Sequence, residues 1–490
     1  MSHRNFPQRS VAIIGGGMAG TLAAIRLIRQ ARTPLLIRIF DPNPELGRGL
    51  AYATTDFNHR LNGPAKAFSL RPDDATHFAN WLQLRADRSG WNAFDDKLLA
   101  FAPRWLFGDY IRDELRSALQ DAAPGVELEH ILAKVSDLEQ EHDGVRVTVD
   151  SAHAVRDFLA DHVVLAPGVF KAKPGFSVTQ TLEIDGRYLP DPWNPDAMDK
   201  LKNAADILLI GSSLTMIDAV VALEARGYRG KYHVVSRRGL VPVARHEVAP
   251  WPEFLTDTTT PVSARAVLRA VRAQINKAKD SGDDWQRVVL AVRPHLSRLW
   301  QAAVLSERQR FIRHVRAYWD MFLHRVPPPS AAIFDAVRAA GRLQVHSGTP
   351  LELHEEAAGK VALAVRLRSQ QQALPALTLV ADAVINCTGF EYVWQRVSGE
   401  PLLRHLLDKG YVRPSALNLG IDADPQSLAV IGADAQPSRT MSTTGLPLRG
   451  VLFESGTIAE LLRQVELLAP RLDAIGRQDY PQPAQVAAAA

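Results

Sequence analysis

The stretch Val11-Ala-Ile-Ile-Gly15-Gly-Gly17-Met-Ala-Gly20, followed by Leu35-Leu-Ile-Arg-Ile-Phe-Asp41, decides the fold of this chain. An apolar run readable only as a buried strand passes into glycines spaced G-x-G-x-x-G. A helical stretch follows, and then a second apolar strand ending in an acid. That order is the signature of a dinucleotide-binding turn. Gly15 permits the tight turn, Gly17 lets backbone approach a pyrophosphate, and Gly20 lets the helix sit close to the strand. The pyrophosphate would rest on the helix N-terminus, where unpaired N–H groups and the helix dipole favour negative charge. Asp41 lies 21 residues after Gly20, close to the spacing of roughly 20 at which an acid meets a ribose hydroxyl.

The architecture recurs. Asp206-Ile-Leu-Leu-Ile210 reads as a buried strand, Gly211-Ser-Ser213-Leu-Thr-Met216 as a turn, and Ile217-Asp-Ala-Val-Val-Ala-Leu-Glu-Ala as a helix. Lys231–Ser236 reads as the next strand, ending at Arg237-Arg238. Ser213 and Met216 stand where the middle and last glycines would be, which weakens the fingerprint. The two arginines restore part of it, because a guanidinium after the second strand is where a 2′-phosphate is met. Three further apolar runs end in glycine: His162–Gly168, Ala383–Gly389 and Leu428–Gly432, the last followed by Asp434. Each predicts a buried parallel strand whose C-terminal end passes a ligand.

Elsewhere, Val145-Arg-Val-Thr-Val-Asp150 alternates like a half-buried strand, so 125–150 predicts a small antiparallel meander. Residues 260–345 read as mostly helical. Their aromatics Trp285, Trp300, Phe311, Trp319 and Phe322 are expected to pack, and Arg308, Arg310, Arg313 and Arg316 to form a solvated face. Pro327-Pro-Pro329 marks a break.

The composition narrows the partners. With 490 residues there is room for two to four domains. Lys+Arg number 57 against 53 Asp+Glu, so the net +4 gives no electrostatic case for nucleic acid. The single cysteine, Cys387, excludes a disulfide framework and a C-x-x-C redox pair and makes the cytosol the expected compartment. Neither a signal-peptide pattern nor an apolar run of the ~18 residues a membrane span needs is present. The Ala-rich end reads as a frayed tail. No G-x-S-x-G, H-E-x-x-H or metal-spaced Cys/His cluster occurs, so no catalytic residue and no metal ligand is assigned.

Taken together, the first G-x-G-x-x-G, Gly47-Arg-Gly-Leu-Ala-Tyr52, Leu61-Asn-Gly-Pro-Ala65, Pro72-Asp-Asp74, Gly211-x-x-Leu-Thr-Met-x-Asp218, Ser236-Arg-Arg-Gly239 and Asn386-Cys-Thr-Gly389 resemble the flavoproteins with two dinucleotide folds. The likeness runs through nearly the whole chain. It is greatest to bacterial single-component flavoprotein monooxygenases, and within them to FAD-dependent urate hydroxylases. The resemblance implies an α/β protein with two Rossmann-like domains, the FAD domain interrupted by the NAD(P) domain. Residues 1–198 and 376–490 would bind FAD. Residues 199–375 would bind NAD(P)H and carry a helical insertion at about 260–330.

On that basis Gly15, Gly17, Gly20 and Asp41 would hold the ADP half of FAD, and Arg48, Tyr52, Asn62 and Ala65 would run beside the flavin ring. Gly211, Ser213, Arg237 and Arg238 would meet NAD(P)H. Gly389, Gly432, Asp434 and Gly445 would border the cofactors, the last through backbone N–H groups before an amphipathic helix starting near Gly450. The implied activity is NAD(P)H-dependent hydroxylation of a small molecule through a flavin peroxide, with urate to 5-hydroxyisourate as the best-defined case. Arg245, His246, Arg325 and Arg439 are candidate partners for an anionic substrate, by placement beside cofactor segments. The partners expected are the substrate and O₂, without nucleic acid or membrane, and a homo-oligomer stays open. Two other readings stand beside this one: an NAD(P)H-dependent flavin reductase serving a quinone or a protein, and a flavoprotein without catalysis.

Overall fold

Strand β1 (Arg9–Ile14) buries Val11 to Ile14 in succession because its sheet is covered on both faces, by helices on one and by the strands of 134–160 with helix 401–408 on the other. The computed structural model describes residues 9–89, 96–142, 144–151, 154–256, 262–369, 375–397 and 399–473. The segment before residue 9 and the Ala-rich end lie outside the described residues. After β1 come helix α1 (Met18–Gln30) and strand β2 (Leu35–Phe40), which pairs parallel to β1 in register Val11↔Ile37.

The first sheet has the order 429–431, 437–443, 162–165, β1, β2, 126–131. Strands 429–431 and 437–443 both belong to this sheet, the latter parallel to 162–165, so the chain leaves the sheet and re-enters it after some 260 residues. Helices α1, Arg104–Gln120 and Ile458–Asp473 bury a common core on one face, with Phe78, Phe107, Tyr110 and Leu468 within it. The second sheet is parallel through 188–189, 383–386, 206–210, 231–236 and the start of 343–356, and ends in an antiparallel meander of 343–356, 360–367 and 377–381. The fold is therefore α/β with two nucleotide-type sheets.

Three local expectations are corrected. Residues 126–131 do not join the meander; they close the parallel sheet beside β2, and the meander consists of 134–141, 144–151 and 154–160. Residues 429–431 are antiparallel to 437–443, because the short turn at 432–436 reverses the chain. The last helix begins at Ile458, and 450–457 form turns before it. The aromatics of the insertion pack as expected: Trp300, Phe311 and Trp319 surround Phe453, and Trp285 meets Phe322. Arg310 and Arg313 are exposed, whereas Arg308 lies over the Trp300 ring. Among the described residues no helix is long and apolar enough to cross a membrane.

Candidate functional site

The two glycine turns have the same construction. Gly15 has φ +108° and donates its N–H to Phe40 O (2.9 Å), while Ala166 N donates to Ile14 O (2.9 Å). Gly211 has φ +105° and donates to Val235 O (2.8 Å), while Cys387 N donates to Ile210 O (2.7 Å). A Cβ on Gly15 would lie 2.2 Å from Ala166 O, and one on Gly211 2.3 Å from Cys387 O. Both turns are thus clamped between two strand ends, with a backbone only glycine tolerates. The copies differ at the helix. A Cβ on Gly20 would sit 2.0 Å from Gly15 O, so α1 is drawn against its turn; the counterpart Met216 buries a full side chain.

In front of α1, Gly17 and Gly49 face each other backbone to backbone, a Cβ on Gly17 coming within 3.4 Å of the Gly49 Cα. Gly17 is the N-cap, no side chain caps the helix, and its first turn carries no acid. The amide donors and the positive end of the dipole are left for an anion. Asp41 is fixed beside this turn: Oδ2 accepts from Gly16 N (2.6 Å) and Oδ1 from Asn43 N (2.8 Å).

Sheet direction sorts the remaining candidates, since ligands of such sheets bind at the C-terminal ends of parallel strands. Gly168 follows strand 162–165 at that end, with open space where a Cβ would be. Gly445 follows strand 437–443 at the same end, where a Cβ would touch Ala19 of α1 at 3.0 Å. The antiparallel 429–431 strand instead carries Gly432 and Asp434 to the opposite edge. There Gly432 is packed against Gly410 O and Asp434 accepts from Gln436 N (3.0 Å) in the turn. Arg439, at the start of 437–443, also lies at that edge. The sequence contains the strands but not their direction.

Gln464 is a site residue that sequence reasoning missed. Fully buried on helix 458–473, it accepts from Gly445 N (2.7 Å) and Thr444 Oγ1 (2.9 Å), and it donates to Ser455 O (2.9 Å). The available signal was a glutamine on the apolar stripe of Leu461, Val465, Leu468 and Leu472. Gln464→Leu is expected to destabilise the protein by about 3 kcal/mol, because it leaves buried donors unpaired. Urea unfolding measures this, and a cost under about 1 kcal/mol would remove Gln464 from the role.

Of the residues expected beside the flavin ring, Arg48 braces the loop after β2 against helix 104–120, pairing with Glu45 (2.9 Å) and Asp109 (2.7 Å). Tyr52 packs edge-on against Phe107 (centroids 5.0 Å apart), and burial pushes its hydroxyl up to about 12. Ala65 is fully buried with its N–H bonded to Ala100 O (2.9 Å); Asn62 is exposed and its carbonyl accepts from Arg245 Nη1 (3.5 Å).

The second turn opens on a cleft lined by Leu50 of the first fold and by Trp193, Thr215, Asn386, Gly389 and Phe390. Trp193 and Phe390 stack (6.0 Å, 18°), and Gly389 has open space at its Cβ position. Ser213 is the exposed N-cap of helix Leu214–Ala225. The two arginines separate: Arg238 donates to Arg313 O (3.0 Å) and lies over Tyr318, whereas Arg237 is exposed at the end of the second strand.

Three of the four proposed substrate residues converge. Gln286, 2 % exposed, accepts from His246 N (3.2 Å) and from Arg325 Nη1, and it donates to Ala244 O (2.9 Å), next to Arg245. His246 Nδ1 lies 2.6 Å from Asp284.

The comparisons agree with this construction. A protein-family model described as FAD-NAD(P)-binding matches residues 12–170, and that part of the chain is an FAD/NAD(P)-binding domain. No curated protein is similar enough in sequence to match. Among solved structures the chain is similar to a Kutzneria ornithine N-hydroxylase holding reduced FAD, NADP⁺ and L-ornithine (14 % identity, TM-score 0.62, 95 % of this chain and 99 % of that one). It is similar to an Erwinia amylovora cadaverine monooxygenase bound to FAD (13 %, 0.63, 99 % and 98 %) and to the Pseudomonas aeruginosa ornithine hydroxylase (17 %, 0.60, 95 % and 98 %). At these identities the likeness establishes the fold: two dinucleotide-binding domains.

Proposed function

We propose that this protein is an FAD-dependent, NAD(P)H-consuming monooxygenase that hydroxylates a small molecule. The observation that carries the reading is the paired construction of the Gly15 and Gly211 turns, with the Gly389 cleft in front of the second and Leu50 of the first fold in its wall. Similar folds in the Kutzneria, Erwinia and Pseudomonas monooxygenases support it. FAD bound here would supply the redox chemistry, accepting a hydride from NAD(P)H and activating O₂. The protein's part is to bind and orient. The α1 N-terminus, capped by Gly17 without a side chain, receives the pyrophosphate and Asp41 the ribose, while Gln464 fixes the Gly445 turn beside α1.

The substrate is the finer question. The enzymes compared above are named for ornithine and cadaverine, so amines stand ahead of urate, which no comparison supports. Substrate-stimulated NAD(P)H consumption that requires O₂ and yields a hydroxylated product tests the reading. Anaerobic turnover with a dye, without such a product, would overturn it in favour of a reductase.

Arg237 favours NADPH. Arg237→Gln is expected to raise the KM for NADPH about 10-fold or more and to leave that for NADH within about twofold, by loss of a charge-assisted contact to the 2′-phosphate. Equal effects on both coenzymes would remove the assignment.

A further inference from the structure

Arg325 is 2 % exposed, although it carries a full charge on a long side chain. It leaves helix Arg316–Leu323 in an extended segment, where Val326 N donates to Val243 O (2.9 Å) and Val326 O accepts from Arg245 N (2.9 Å). This pairing brings the Arg325 and Arg245 segments together. Burial, and then the charges of Arg245 and Arg293, draw Arg325 down to about 10.

Its hydrogen bonding is one-sided. Nη1 donates to Gln286 Oε1, whereas Nε and Nη2 are buried without a partner. Those two nitrogens form a single edge of the guanidinium, the parallel N–H pair that meets a planar oxyanion in bidentate fashion. The nearby acids are engaged elsewhere, Asp284 with His246 and Glu247 with Lys66. Arg245 repeats the pattern: its Nε is buried and unpartnered, while its Nη1 reaches Asn62 O in the 61–65 loop of the first fold. An uncompensated buried charge is costly, and it is matched most directly by an anion with two acceptors on one edge.

We propose that Arg325, assisted by Arg245, forms an anion subsite that holds the planar, two-oxygen or oxygen–nitrogen edge of the substrate, a carboxylate or the ionised edge of a heterocycle. The subsite lies where the helical insertion meets the 61–65 loop. It selects substrates by charge and edge shape, and Gln286 orients the guanidinium. The anion's assignment to the substrate rests on the monooxygenase reading.

The test uses the FAD-loaded protein. Binding is read from the perturbation of the oxidised flavin absorption by L-ornithine, its decarboxylated counterpart 1,4-diaminobutane, and urate. L-ornithine or urate is expected to bind, and Arg325→Met to weaken that binding about 50-fold, the scale of a lost bidentate charge-assisted pair. The diamine's affinity should not change. Arg325→Lys keeps the charge but lacks the fork, and should weaken anion binding about 10-fold. This second variant carries the test alone if Arg325→Met does not fold. Of these two ligands, one presenting a carboxylate and the other an ionised heterocycle edge, the one that binds identifies the class.

The subsite is overturned if neither L-ornithine nor urate binds the unmodified protein at millimolar concentration, or if the folded variants bind as tightly as it does. Flavin bleaching by anaerobic NADPH separates the two levels. Absence of bleaching sinks the monooxygenase reading but leaves the binding result standing. Normal bleaching with unchanged anion affinity in the variants sinks only the subsite.

Discussion

Gly15→Ala is expected to give a protein that retains under about a tenth of its flavin, whereas Gly211→Ala stays yellow but is no longer bleached by NAD(P)H. Both substitutions place a Cβ about 2 Å from a carbonyl oxygen, at Ala166 and Cys387 respectively, on a backbone with φ above +100°. Overpacking of this kind costs roughly 1–3 kcal/mol, and the disfavoured backbone adds about 1–2. The sum, roughly 2–5 kcal/mol, corresponds to a loss of the binding-competent turn of roughly 30-fold to a few thousandfold. The penalty is local to one sheet, so the effects should separate by cofactor. Flavin content after gel filtration measures the first, and an anaerobic titration of the flavin band the second. If both variants lose flavin equally, the turns do not serve separate nucleotides.

The second large effect concerns the junction of the two folds. Arg104, at the start of helix 104–120, meets Asp218 of helix 214–225 through both ends of its fork: Nη1 to Oδ2 at 2.7 Å and Nη2 to Oδ1 at 3.1 Å. Both side chains are largely buried, and Trp193 Nε1 adds a third donor to the carboxylate (3.4 Å). Asp218→Asn or Arg104→Met alone is expected to destabilise by about 3 kcal/mol, because removing one member strands the other's charge. The double variant should cost at least about 2 kcal/mol less than the sum of the singles. Urea unfolding of all four proteins measures the coupling, and additive costs would show that the pair does not hold the folds together. The same singles should slow flavin reduction by NAD(P)H more than they reduce flavin content, since the bridge orients one nucleotide site against the other.

Much of the first fold was legible in the sequence because its determinants are local. A continuous apolar strand has nowhere to go but a sheet covered on both faces, and glycine at positions 15 and 20 answers steric demands set within a few residues. The repeat at Gly211 was legible for the same reason, including its departure at Met216, which the structure accommodates as a buried side chain. The misreadings share a cause too. Nothing local distinguishes a parallel from an antiparallel strand, so Gly432 and Asp434 looked like a cofactor edge until the pairing of 429–431 with 437–443 carried them to the far side. Residues 126–131 adjoin the meander in sequence, yet β2 recruits them by parallel pairing. Of the two adjacent arginines, only tertiary contacts with Arg313 and Tyr318 withdraw Arg238 and leave Arg237 exposed.

By itself, then, the sequence determined that this is an α/β chain with two glycine turns after buried strands, an acid at the end of the second strand, and a single cysteine, because each follows from residue type and spacing over short range. Only the tertiary structure decided which glycines share an edge of the sheet, that Gln464 holds the Gly445 turn, and that Arg325 keeps one buried guanidinium edge without a partner. Those features depend on strand direction and on contacts between residues far apart in the chain, which spacing along the sequence does not encode.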